Sequence, residues 1–333
     1  MVEAFAPGRV NLIGEHTDYA GGLALPMAID LGTTVRGAPG GDVVRLISAD
    51  EPAPAAVPLD VADPATARPE WARYVAGVVA ELRPAVGFEG EVTTTLPLGG
   101  GLSSSAALEL AVALALGFDG SPADLAALGQ RAEQTASGVP CGIMDQLASA
   151  CGRDGHALLI DFVDLSVRAV PVPGEVDVWV VHSGQERRLA GSAYAERRAA
   201  TERAAAEIGP LGSAGLADVA RIADPLVARR ARHVVTECAR VRSFAAALEA
   251  GDPVAAGRLM DESHASLRDD FEVSTDALDA LCERLRAEPG VFGARLTGAG
   301  FGGCAVALVA HGTPLPTDVR GWVVRASAGA RRR

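Results

Sequence analysis

The chain has 333 residues, enough for two domains at roughly 100–200 residues each. Its 49% hydrophobic and 22% charged content is that of a folded globular protein, and its net charge of -12 counts against nucleic-acid binding, because phosphate contacts need a basic face. All 30 basic residues are Arg; the absence of Lys excludes Schiff-base and PLP chemistry, a Walker A loop and the strand lysine of protein kinases.

Three glycine-rich segments punctuate the chain, at residues 8–22, 99–101 and 298–303. Short β-like runs are expected around residues 10–12, 23–29, 43–47 and 91–96. Trp71, Val75, Val78 and Leu82 share one face, which predicts a helix over 71–82. A second helix begins at Ser103 or Ser104 and runs to Leu116; Ser121 and Pro122 supply the N-cap and N1 proline of a third, reaching Thr135. The second half changes character. Residues 157–160, 167–170 and 176–181 read as strands ahead of Arg-rich helical stretches. Residues 226–250 predict a long amphipathic helix closed by Gly251, Ser274 caps another through Ala287, and strands at 293–297 and 304–309 flank the last glycine loop. The mixed order is α+β rather than a βαβ array, divided into domains 1–165 and 166–333 by a composition shift near Pro171 and Pro173.

The longest apolar run, from Leu110 to Phe118, is half the roughly 18 residues a membrane span needs. Met1-Val2-Glu3-Ala4 offers no basic or apolar leader region, so no signal peptide is expected. Cys141, Cys151, Cys238, Cys282 and Cys304 form no CxxC pair; they read as free thiols in a reducing cytoplasm rather than as a zinc site or disulfide framework. No membrane or nucleic-acid partner is expected, and a monomer is compatible with the sequence.

Chemistry concentrates in the glycine segments. Gly99-Gly100-Gly101-Leu102-Ser103-Ser104-Ser105-Ala106 places three residues that tolerate close backbone approach before a helix start. Free N–H groups and the positive end of the helix dipole favour an anion there, so the segment reads as a phosphate cradle without lysine, or as a plain turn with serine caps. The serine hydroxyls can meet phosphate or Mg²⁺. Residues 8–19 hold Arg9, Glu15, His16 and Asp18 between glycines, a density of donors and acceptors that suits a polyhydroxylated ligand; a charged surface turn fits poorly with apolar Val10, Leu12 and Ile13. Asp145 follows a Pro/Gly loop at 138–142 and by itself would be a helix cap; Cys141 has no His nearby and is discounted as a nucleophile. Residues 298–303 formally match GxGxxG, but Pro314 and Pro316 break the helix and strand a dinucleotide fold would need, so a backbone-approach loop is expected instead.

Together these segments resemble the GHMP kinase superfamily and, within it, the galactokinase family. Residues 8–19 resemble that family's signature, residues 99–107 the superfamily's ATP-phosphate loop, and residues 297–303 its third motif; the likeness extends from about residue 5 to 309. It implies a two-lobed α+β fold with the active site in the cleft between the lobes, and transfer of the γ-phosphoryl group of MgATP to the anomeric hydroxyl of galactose. By matching position it implies Asp145 as catalytic base and Arg9 as its electrostatic partner. Glu15, His16, Asp18, Gly142 and Tyr194 would hold the sugar. Gly99 to Ala106 would hold the phosphates, Trp71 and Tyr74 would lie near the adenine, and Ser105 and Glu133 would ligate Mg²⁺. A non-catalytic ATP- and sugar-binding sensor on the same fold, or a kinase for another sugar such as N-acetylgalactosamine or arabinose, are the competing readings; Thr17 favours galactose.

Overall fold

The computed structural model describes residues 1–97, 100–185 and 191–333. The first half comprises β1 (Val2–Asn11), β2 (Leu23–Ala24), β3 (Pro26–Pro39), β4 (Val43–Ser48), β5 (Ala55–Pro58), α1 (Ala72–Leu82), β6 (Phe88–Thr94), α2 (Ser104–Ala115), α3 (Pro122–Ser137) and α4 (Met144–Cys151). Strands β7 (His156–Asp161), β8 (Ser166–Pro171) and β9 (Val176–His182) lead into α5 (Gly191–Ile208), the single turn α6 (Leu216–Val219), α7 (Pro225–Glu249), α8 (Pro253–Asp269) and α9 (Asp276–Ala287). The chain closes with β10 (Val291–Thr297), β11 (Cys304–Ala310), β12 (Gly321–Val324) and β13 (Arg331–Arg332).

Three sheets organise these elements. A six-stranded sheet runs β13-β1-β3-β6-β4-β5, a four-stranded sheet β10-β11-β9-β12, and a three-stranded sheet β2-β7-β8. β1 and β3 form the long antiparallel spine of the first sheet, and β1 is buried along its length from Ala4 because α2 and α4 cover it. The last residues return to this sheet: Phe5 pairs with Arg331, and the guanidiniums of Arg331 and Arg333 lie 4.9 and 4.7 Å from its ring centroid. The expected division at residue 165 falls in the turn of the β7–β8 hairpin, whose sheet also takes β2 from the start of the chain.

The local signals explain most element ends. Ser121 and Asp124 form a capping box on α3, with Pro122 at N1. Gly251, at φ 65, follows α7. Two details differ from the sequence expectation. The run at 23–29 splits into β2 and β3, because Leu25 exchanges backbone hydrogen bonds with the first motif (2.8 Å to Ile13 and 3.2 Å from Leu12) and Pro26 has no N–H to continue the ladder. Thr275, not Ser274, caps α9 by accepting from Leu278 N; Ser274 donates 2.6 Å to Asp279.

Sheet and helix ends converge on one cleft. The loop after β1, the start of α4 and the β10–β11 turn line it, and Ser103 at the N-terminus of α2 reaches Asp145 beside it. α8 is pressed against β10 through two glycines: a Cβ on Gly257 would lie 2.0 Å from Phe292 O, and one on Gly293 would lie 2.1 Å from Gly257 O. No helix among the described residues is long and apolar enough to cross a membrane.

Candidate active site

The first glycine segment leaves β1 at Asn11 and turns back sharply. Gly14 has φ 99 and approaches Ala24 so closely that a Cβ would sit 2.5 Å from Ala24 Cα. Its N–H donates 3.0 Å to Glu237 Oε1 on α7. Burial alone would raise the Glu237 carboxyl, but Arg240, His233 and Arg295 hold it down at about 2, so the anchor is a carboxylate. Thr17 is fully buried, and its hydroxyl lies 2.8 Å from Leu23 O and 3.0 Å from Gly14 O. It shapes this turn and does not line the cleft.

The turn delivers Glu15, His16 and Asp18 into a cavity of about 230 Å³, together with Arg9, Gly142, Asp145 and Tyr194. Asp145 occupies the first turn of α4 rather than the loop that precedes it. Arg9 grips it through two hydrogen bonds, Nε to Oδ1 and Nη2 to Oδ2, each 2.7 Å. The third guanidinium nitrogen donates 2.8 Å to Gly101 O, and the backbone N–H of Arg9 donates 3.1 Å to Leu102 O. Ser103 adds its hydroxyl to Asp145 Oδ2. It can do so because it stands in the left-handed region, at φ 58, at the cap of α2. Asp145 keeps 30% of its side chain exposed to the cleft, so a hydroxyl can still reach it, whereas Arg9 is buried.

Gly142 and Asp18 meet across the cavity: a Cβ on Gly142 would lie 1.7 Å from Asp18 Oδ2. Burial and the charges of Asp145 and Glu15 raise the Asp18 carboxyl to about 7. His16, at φ 61, bonds Tyr19 OH at 2.8 Å and Ala299 O at 3.2 Å, and Tyr194 lies 5.9 Å away, centroid to centroid. Glu15 is buried and faces the β10–β11 turn, accepting from Gly298 N at 2.6 Å and Thr297 Oγ1 at 3.2 Å.

Beside this cavity a second one, of about 240 Å³, is lined by Trp71, Tyr74, Ser104 and Ser105. Trp71 is fixed by its indole N–H to Ala53 O at 3.0 Å. Ser105 donates 2.8 Å to Glu133 Oε1, and Glu133 lines the first cavity, so this bond stands where the two meet. Leu102 and Ala106 are buried in the core, leaving only backbone groups for a ligand; Gly100 and Gly101 make the turn, and Gly99 lies outside the described residues. Burial and the Asp145 charge raise the Glu133 carboxyl; behind it Glu109, fully buried, is raised further by burial and by Glu133.

Of the residues expected from the sequence, Arg9, Glu15, His16, Asp18, Glu133, Gly142, Asp145 and Tyr194 line the first cavity and Trp71, Tyr74, Ser104 and Ser105 the second, whereas the Leu102 and Ala106 side chains lie in the core. The sequence reading missed Glu237, Tyr19, the Ala299 carbonyl, and the Ser103–Asp145 bond; these depend on contacts 42 to 283 residues apart, apart from Tyr19, whose only signal was its place in the first motif.

Two lobes, a glycine turn at a helix start and an acid held at its mouth define a GHMP kinase: models of the GHMP kinase N-terminal and C-terminal domains match residues 73–153 and 244–319. A model of the galactokinase galactose-binding signature matches residues 2–39. Galactokinases of Homo sapiens and of Roseiflexus sp. (strain RS-1) are each 47% identical to the chain, over 91% of it and 82% of their own lengths. The chain belongs to the galactokinase family. Its fold also superposes on a Lactococcus lactis galactokinase crystallised with galactose, with a TM-score of 0.90 and 35% identity over 99% of this chain and 94% of that one. The Methanococcus jannaschii mevalonate kinase shares the fold at 22% identity, with a TM-score of 0.68 over 98% of each chain.

The raised Asp18 carboxyl has a consequence for stability. Protonation of Asp18 favours the ligand-free fold, so its contribution is full below the ordinary carboxylate range and is lost as pH rises through about 7. Asp18→Asn should therefore raise the melting temperature of the ligand-free protein relative to the parent, more at pH 8 than at pH 5, while weakening sugar binding. Thermal melts at the two pH values check this; a shift of the same size at both, or a drop at pH 8, would contradict the assigned environment.

Proposed function

We propose that the chain transfers the γ-phosphoryl group of ATP to the anomeric hydroxyl of D-galactose in the cytoplasm, with Asp145 as the base. A sugar hydroxyl is a poor nucleophile, so a positioned carboxylate must take its proton as the bond forms. The observation that carries this role is the clamp on Asp145: Arg9 and Ser103 hold both oxygens, and the exposed part faces the cavity that Glu15, His16, Asp18, Gly142 and Tyr194 border. In the step itself the anomeric oxygen bonds to the γ-phosphorus, the bond to the β,γ-bridging oxygen breaks, ADP leaves, and the proton passes to Asp145. Arg9 also stands where charge on the transferring group needs an electropositive neighbour; among the described residues lining the two cavities, it and His16 are the basic ones.

The nucleotide is assigned to the second cavity, with the adenine toward Trp71 and Tyr74 and the phosphates at Gly100 to Ser105, by the N-terminus of α2; Gly99, the first residue of the expected loop, lies outside the described residues. Ser105 and Glu133 suit Mg²⁺: they are oxygen donors 2.8 Å apart, and Glu133 belongs to an acidic group with Asp145 and Glu109, beside which Arg9 is the neighbouring cation. When bound, Mg²⁺ neutralises charge on the phosphate oxygens. The catalytic reading is preferred to a non-catalytic sensor because Ser105 and Asp145 are both present and face the cleft.

Asp145→Asn should lower kcat by roughly 10²–10⁴-fold or more while galactose still binds, as expected for loss of a general base. Steady-state kinetics with calorimetric galactose titration checks this, and a near-parental kcat would remove Asp145 from the role.

Selectivity follows from the same polar wall, since a site that pairs with particular hydroxyls rejects an analogue that leaves a buried group unpaired. Galactose should exceed glucose and arabinose in kcat/KM by orders of magnitude. A panel of galactose, 2-deoxygalactose, N-acetylgalactosamine, arabinose and glucose measures it; glucose or arabinose outperforming galactose would overturn the substrate and leave the kinase reading intact.

A further inference from the structure

Between α8 and α9 the chain passes behind His16, in a segment where three consecutive backbone carbonyls are each taken by a guanidinium. Arg230 on α7 donates to Asp270 O. Arg197 on α5 donates 2.8 Å to Phe271 O and 3.0 Å to Glu272 O. The Glu272 side chain closes the clamp, accepting from Arg230 and pairing with Arg229 at 3.0 Å. Glu272 itself is held at φ 55, a left-handed conformation that a glutamate adopts only where its surroundings impose it.

The clamped segment touches two motifs of the sugar site. The Phe271 ring is wholly buried between two imidazoles, 4.6 Å from His16 and 4.7 Å from His233. His233 is itself fixed, with 3.0 Å contacts to Glu15 O and Ser266 Oγ. Val273 O accepts 2.8 Å from Phe301 N, and a Cβ on Gly300 would lie 2.3 Å from that carbonyl oxygen, so the β10–β11 turn rests directly on the segment. The same turn supplies the Ala299 carbonyl that meets His16.

We infer that residues 270–273 form a strut, set by Arg197 and Arg230, that positions His16 and the β10–β11 turn for the sugar, so that Phe271 and Arg230 are positioning residues for galactose and not for ATP. Burying a guanidinium carries a desolvation cost that offsets its attraction to a partner, here the half-exposed Glu272, so the contact is weak as a source of stability. Arg230 is 1% exposed, and its Nε finds no partner among the described residues. Such a costly group is accounted for by the placement it enforces. His16 needs that placement: its backbone is left-handed, and without the Phe271 ring one face of the imidazole loses its support.

The inference rests on His16 facing the sugar, so the test separates the two. KM for galactose and for ATP, with kcat, should be measured for His16→Ala, Phe271→Leu and Arg230→Met. KM does not depend on the fraction of enzyme that folds, and Phe271→Leu decides the matter if Arg230→Met does not fold. The expected result is that all three raise KM for galactose about tenfold or more, leave KM for ATP within about twofold, and change kcat less than KM for galactose. If His16→Ala raises KM for galactose but Phe271→Leu does not, or if Phe271→Leu raises both KM values together, the strut is wrong. If His16→Ala leaves KM for galactose unchanged, the sugar-facing reading of His16 fails first.

Discussion

Most of the site depends on one side chain pair, the bidentate contact of Arg9 with Asp145. Arg9 lies on a buried strand, and all of its polar groups are committed: Nε and Nη2 to the carboxylate, Nη1 to Gly101 O, and the backbone N–H to Leu102 O. The neighbouring Gly8 makes this approach possible, since a Cβ there would fall 2.5 Å from Leu102 O. A single residue therefore fixes the distance between the proposed base and the phosphate turn. Ser103 repeats the link from the other side, through a hydroxyl that reaches Asp145 only because its backbone is left-handed. Substrate positioning of this kind supplies much of the acceleration in phosphoryl transfer, where the protein has little covalent chemistry to perform.

Around that pair the site carries more negative charge than a stable apo protein favours. Asp18, Glu15, Glu133 and Glu109 surround Asp145 closely enough that burial and mutual repulsion raise Asp18, Glu133 and Glu109. Backbone strain is concentrated in the same place. Among the described residues six non-glycines have left-handed φ; one of them, His16, lines the cavity, and three, Ser103, Glu272 and Phe301, belong to the segments that brace it. Both features are local departures from the stablest arrangement, kept in place by well-packed strands and helices. On the proposed function, sugar hydroxyls and a cation would offset the charge, and the strain would orient the groups that receive them.

What could be read from the sequence was whatever is local. Capping at Ser121, the C-terminal Gly251, and the 3.6-residue periodicity of α1 and α7 gave those helices close to their observed bounds. The glycine segments marked the turns, and residues 8–19 carried enough chemistry to indicate a polyol site. Strands β5, β12 and β13 are four residues or fewer and have too little periodicity to announce themselves. α4 was hidden because its first turn follows Pro140 and Gly142 and reads as more loop. Glu237, His233 and Arg230 look like ordinary positions on an amphipathic helix; only the packing of α7 against the first motif and the 270–273 segment reveals that Glu237 holds Gly14 and that His233 and Arg230 brace Phe271. Thr17, which the family likeness singled out, is buried in its own turn, a structural place that the sequence alone did not indicate.

The measurement that bears most directly on the central role of the Arg9–Asp145 pair is a double-mutant cycle in kcat/KM, using Arg9→Met, Asp145→Asn and the combined variant. Residues that act as one unit are non-additive: once either is gone, loss of the other costs little more. The combined variant should be no slower than the slower single variant. If instead its loss equals the product of the two single losses, Arg9 and Asp145 act independently, and the pair is not the element on which the site is built.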